Sequence, residues 1–254
     1  MRKYLLIILL LGMFVGCVPP VPESPFPSQR LKEPVTGTGY TLYLPSYYSK
    51  DRQWPLVIPL HGTYGFDSPD WQATEWTDIA EKHGLIVAAP DLRSVQGILP
   101  KNKTLWFNDL AADERAILAL IDEVCAKYNA DPKAVLLEGF SAGGFPLYYT
   151  GLRNPDKFSM IVGGAANWDE SIFNVVLDKD GNASPQARAL QIGIFYGKDD
   201  NFVASQAWEA FAWLRKHKFY NTGKEPREVK GGHRRRPDTA YEMWLRCLPA
   251  KYKK

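Results

Sequence analysis

Two kinds of apolar spacing alternate along the 254-residue chain. Nearly continuous apolar runs over 54–60, 85–89, 135–137, 160–165 and 190–196 suit strands buried on both faces of a parallel sheet. Between them, apolar residues recur every three or four positions over 70–82, 112–128, 145–152, 204–216 and 240–248, which predicts helices. The stripe Ile117, Leu120, Ile121, Val124 and Tyr128 is the cleanest of these. The segment 39–45 alternates and carries β-formers, so it predicts an antiparallel strand at the sheet edge, and 227–230 predicts a last short strand. Over 92–109 no period is visible, so a long loop is expected, with Trp106 in it as a candidate pocket residue. Strand alternating with helix argues an α/β fold: a mostly parallel sheet covered on both faces by helices. The 167–189 interval between two strands is too short for a large cap domain.

The first residues follow a different pattern. Arg2 and Lys3 precede an apolar run over 5–15, too short for a comfortable membrane span, and the run meets Gly16-Cys17. Phe14-Val15-Gly16-Cys17 resembles a bacterial lipoprotein signal, which implies an exported protein of the cell envelope, held to a membrane only through a lipid on Cys17. The proline-dense stretch that follows favours an extended spacer. The expected organisation is therefore a signal over 1–16, a lipidated cysteine and tether over 17–34, and one folded domain over 35–254. Cys125 and Cys247 are left, either as a pair or as buried free thiols. The formal net charge is +3, and two of those charges fall in the signal. Eight Trp are spread through the chain without a basic stripe among them, which argues against a nucleic-acid partner. Asp178 to Asn182 has the look of a calcium loop but lacks the further spaced oxygen ligands, so a turn is expected and no metal site.

The chemistry concentrates after the 135–137 strand, in Gly139-Phe140-Ser141-Ala142-Gly143. A serine on a sharp strand-to-helix turn needs small residues two positions either side, and it faces the unsatisfied N–H groups of the next helix. Asp200 and His233 follow in loops after later strands, giving the order nucleophile, acid, histidine. A neutral hydroxyl is a poor nucleophile at pH 7; a histidine takes its proton and a carboxylate fixes the imidazole tautomer. His61 is expected to orient its loop, and His83 and His217 fall at helix ends away from chemistry. Trp168, beyond the 160–165 strand, is a further candidate for the pocket.

With His61-Gly62, the 139–144 turn, the 197–203 segment and Gly231-Gly232-His233, the chain resembles the α/β-hydrolase superfamily over roughly residues 35–250. Within it, the chain is similar to secreted esterases of the polyhydroxybutyrate depolymerase-like and feruloyl esterase-like kinds. The resemblance implies hydrolysis of a small or polymeric carboxylic ester through an acyl-enzyme, with no metal or organic cofactor. It implies an oxyanion hole from the backbone N–H of Ala142 and of Thr63, with Tyr64 as the near alternative donor and as a pocket residue. The spacing from Gly197 and to Val203 in the related esterases selects Asp200 over Asp199 as the acid. Arg234, Arg235 and Arg236 depart from the family, either as a solvated loop or as a draw for anionic substrates. Two other readings of the same fold are a serine peptidase and a surface binding protein without catalysis.

Overall fold

The computed structural model of the chain describes residues 28–96 and 102–253; the expected signal, Cys17 and most of the proline-rich stretch lie outside them. Among the described residues the strands are β1 (Gln29–Lys32), β2 (Gly39–Tyr43), β3 (Trp54–Leu60), β4 (Ile86–Pro90), β5 (Ala130–Ser141), β6 (Met160–Ala166), β7 (Ile192–Gly197) and β8 (Arg227–Val229). They form one sheet in the order β1-β2-β4-β3-β5-β6-β7-β8. The β1–β2 and β2–β4 pairs are antiparallel and the remaining pairs parallel. This is the mostly parallel α/β sheet that the apolar runs predict, and β3 and β6 are buried at every residue.

The helices are α1 (Pro69–His83), α2 (Lys103–Tyr128), α3 (Gly144–Arg153), α4 (Glu170–Phe173), α5 (Pro185–Ala189), α6 (Ala204–Lys216) and α7 (Pro237–Leu245). Successive side chains of a strand point to opposite faces, so β5 feeds two cores. Val135 and Leu137 pack with α2, α3 and α6 on one face, and Leu136 packs with α1 and α7 on the other. Residues between β6 and β7 fold into the short α4 and α5, and no large cap is present among the described residues. The 178–182 run is a turn in which Asp178 accepts from the N–H groups of Asp180 and Asn182. Cys125 and Cys247 are free thiols. No helix among the described residues is long and apolar enough to cross a membrane.

Two elements differ from expectation. The loop expected over 92–109 ends earlier than expected, because α2 starts at Lys103, where the Asn102 side chain caps the N–H groups of Thr104 and Leu105, so that 103–109 is helix. Further along the same helix Asp113 is a buried carboxylate among apolar positions. It accepts from the N–H groups of Arg93 and Ser94 and from the Ser94 hydroxyl, so helix α2 fastens the loop after β4. Burial pushes its pKa up to about 6. The second is β1, which lies within the stretch expected to be tether. Its Gln-Arg-Leu-Lys sequence carries no strand pattern, yet it pairs residue by residue with β2, and Arg30 reaches Asp91 and Thr41.

Candidate active site

The centre of the site is the C-terminal end of β5, in the middle of the sheet. Ser141 ends that strand with φ of 52°, in the left-handed region. A non-glycine residue held there costs roughly 1–2 kcal/mol, so neighbouring structure must hold it. The Gly143 N–H donates to Phe140 O and the Asn167 N–H to Ser141 O, both at 2.8 Å. The flanking glycines are required by space: a Cβ on Gly139 would meet Gly143 O at 2.6 Å, and one on Gly143 would meet Leu60 O at 2.4 Å. Strand β6 accommodates the turn with a bulge at Ala165, whose φ is 45°, as the register passes from Gly164 to Ala166.

Asp200 follows β7 and is almost wholly buried. Its Oδ1 accepts the N–H groups of Phe202 (3.0 Å) and Val203 (3.2 Å), and its Oδ2 lies 2.8 Å from His233 Nδ1. A carboxylate can only accept, so this contact fits the imidazole tautomer with its proton on Nδ1. Phe140 packs against the His233 ring at 4.8 Å and Phe202 meets it edge-on at 6.4 Å. Asp199 is exposed, with its N–H on Gly231 O.

The loop after β3 forms the opposite wall. His61 donates from Nδ1 to Gly62 O (2.8 Å) and accepts the Leu92 N–H on Nε2 (3.2 Å), so both nitrogens are engaged and burial pushes its pKa down. It orients the loop, as expected. Asp67 Oδ2 accepts the Gly62 N–H at 2.7 Å and the Gln72 amide at 2.8 Å. The Tyr64 N–H donates to Val95 O at 3.1 Å, which removes it as a free donor. The N–H groups of Thr63 and Ala142 have no hydrogen-bond partner among the described residues.

These groups surround a cleft of about 950 Å³, lined by Ser141, His233, Thr63, Asn167, Phe66 and Phe202 and by Arg234 to Arg236. Of the three aromatic residues expected in the pocket, none lines it. Trp106 is turned into the core by helix α2 and meets Phe145 edge-on at 4.9 Å. Trp168 packs on Phe173 and donates to Glu209, while Tyr64 is exposed beyond the cleft lining. The aromatic residues that do line the cleft are the buried Phe140 of β5 and two from loops on either side of it, Phe66, 83% exposed, and Phe202, 80% exposed. A phenylalanine in each of two polar loops was the available signal. Nor are the three arginines a free cationic run. Arg235 pairs with Asp67 and Glu75, Arg236 donates to Lys230 O, and Arg234 is exposed.

Beneath the loop, Glu138 is completely buried one residue before Gly139. Burial, reinforced by Asp67, pushes its pKa up to about 8, which makes it a neutral acid at pH 7.

Comparison with known proteins agrees with this architecture. The chain is 25% identical over 223 residues to the bifunctional acetylxylan esterase/xylanase XynS20E of Neocallimastix patriciarum, a match that covers 87% of this chain and 30% of that protein. It is 29% identical over 161 residues to feruloyl esterase B of Piromyces equi, covering 63% of this chain and 28% of that one. The chain thus spans less than a third of the length of either relative. The fold matches that of S-formylglutathione hydrolase FrmB from Staphylococcus aureus, with a TM-score of 0.59 at 19% identity over 89% of this chain and 97% of that one. The model of the Esterase family matches residues 28–250, nearly the whole described chain, and on that match the protein belongs to the Esterase family, within the α/β-hydrolase superfamily.

Proposed function

We propose that the chain is a serine hydrolase that cleaves carboxylic esters through an acyl-enzyme. The observation that carries this reading is the Asp200–His233 hydrogen bond, opening onto the same cleft that Ser141 lines from its left-handed turn. In the first half-reaction Ser141 Oγ attacks the ester carbonyl as its proton passes to His233 Nε2, and Asp200 stabilises the imidazolium. The C–O bond to the alcohol then breaks, the alcohol leaves with the proton from His233, and the acyl group stays on Ser141. Water repeats the sequence, giving up its proton to His233 and releasing the acid. The tetrahedral oxyanion in each half is met by the N–H groups of Thr63 and Ala142, donors without a hydrogen-bond partner among the described residues. The proton and the developing charge are handled by these groups, so the reaction calls for neither metal nor organic cofactor.

The acetylxylan and feruloyl esterases among the relatives favour acylated or aryl-acylated carbohydrates as substrates. The two exposed phenylalanines beside an uncapped cleft suit a bulky or polymeric ester. Ser141→Ala should lower turnover of 4-nitrophenyl acetate by on the order of 10⁶, the scale of nucleophile loss in a comparable triad. A fluorophosphonate probe should label the parent chain and not the variant. Turnover retained without the serine hydroxyl would end the proposal.

A further inference from the structure

We infer that Arg235 is a positioning residue of the hydrolytic site, tying the loop that carries His233 to the loop that presents the Thr63 N–H, and so holding base and oxyanion donor in one register. The inference rests on the ester-hydrolase reading above.

The connection is a chain of short contacts. Arg235 stands two residues after His233, and its Nη1 donates to Asp67 Oδ1 at 2.9 Å. The other oxygen of that carboxylate accepts the Gly62 N–H at 2.7 Å. Gly62 supplies the carbonyl of the peptide whose N–H is that of Thr63, and this carbonyl takes the His61 Nδ1 proton at 2.8 Å. His61 therefore holds the peptide plane that aims the Thr63 N–H, through its carbonyl, while the Asp67–Arg235 pair holds the plane just before it, through the Gly62 N–H, so that the two planes joined at the Gly62 Cα are fixed together. The turn is closed by the N–H groups of Phe66 and Asp67, which both donate to Thr63 O at 3.1 Å.

Arg235 is anchored independently of Asp67. Its Nη2 donates to Glu75 Oε1 on α1 at 2.6 Å, and its guanidinium lies 5.6 Å over the ring of Phe140, the same ring that packs on His233. The side chain is 19% exposed and that of Asp67 3%, so the pair is shielded from solvent. Such a shielded pair fixes geometry in a way that an exposed pair does not. Burial opposes the charge on Arg235, but Glu75 and Asp67 outweigh it and the group stays a cation. A planar fork suits the task, because two carboxylates are held in different directions at once; a lysine ammonium is a point charge without that fixed geometry.

Misaligning a donor, as opposed to deleting it, acts on the transition state and leaves ground-state binding alone. In the full-length chain, Arg235→Met should lower kcat on 4-nitrophenyl acetate by on the order of 10- to 100-fold, with KM within about twofold. Inhibition by a trifluoromethyl ketone, which adds to the serine and forms an oxyanion, should weaken by the same factor. Arg235→Lys should recover part of the loss, and Arg235→Met made in an Asp67→Asn background should cost little more than Asp67→Asn alone, since both act through one N–H. A rise in KM with kcat intact would make Arg235 a substrate contact and overturn the inference, as would additive losses in the double variant. If Arg235→Met fails to fold, a folded Asp67→Asn with parental kcat overturns it equally. Parental hydrolysis with no effect of either variant defeats this inference alone, whereas a parent chain that fails to hydrolyse esters defeats the hydrolase reading and this one together.

Discussion

Asp199 and Asp200 are adjacent carboxylates in one loop with opposite surroundings. Asp200 is buried, holds two backbone N–H groups on one oxygen and His233 on the other; Asp199 faces water. Asp200→Asn should keep the shape but offer His233 an amide, favouring the wrong tautomer and lowering kcat by on the order of 10⁴, as in the serine protease template. Asp199→Asn should change kcat little, because an exposed charge contributes weakly. Steady-state kinetics on the two variants separate them, and the reverse order would reassign the acid. Ser141, Asp200 and His233 could be singled out as candidates in the chain because each sits in a local pattern of glycines whose spacing has a steric cause, and the structure brings all three to one end of the sheet. Trp106 and Trp168 could not be placed that way: whether a large aromatic lines a cleft or fills a core depends on a helix start and on packing partners remote in sequence. The ion pairs of Arg235 have the same origin, since Asp67 and Glu75 lie far earlier in the chain.

At the level of elements, the strands with continuous apolar runs were legible because burial on both faces leaves little room for polar residues. The exceptions are instructive. Strand β1 is held at the edge by backbone pairing and needs few apolar side chains, and α2 hides a carboxylate in its buried stripe. Strand β5 carries the same kind of exception in Glu138. Its pKa in the folded chain is about 8 against an ordinary 4.5. Between those values the unfolded chain has released the proton and the folded chain keeps it, so stability falls as pH rises through that window. Glu138→Gln keeps the shape and removes the titration. The variant should therefore show a flatter dependence of its urea midpoint between about pH 5 and about pH 8 than the parent chain. Parallel curves for the two would mean that Glu138 does not resist ionisation in the fold.

For the molecule as a whole, the decisive fact is what the sheet leaves uncovered. Between β6 and β7 there are α4, a 3-10 turn over Asn174–Val176, α5 and a turn, so among the described residues no lid covers the cleft. Velocity on a medium-chain ester should accordingly rise smoothly through the solubility limit of the substrate. A sharp jump at that limit, followed by turbidity and product release together, would reveal a closing element. On the proposed acyl-enzyme mechanism, an uncovered cleft also bears on the fate of the acyl group once it sits on the serine. Among the described residues nothing overhead selects water as the second nucleophile, and any hydroxyl that fits beside the two phenylalanines would compete for the same carbonyl. Where water is abundant the product would be an acid. In a crowded layer of sugar hydroxyls, the same half-reaction would hand the acyl group on to another alcohol, so that the surroundings, and not the protein, would decide between hydrolysis and transfer.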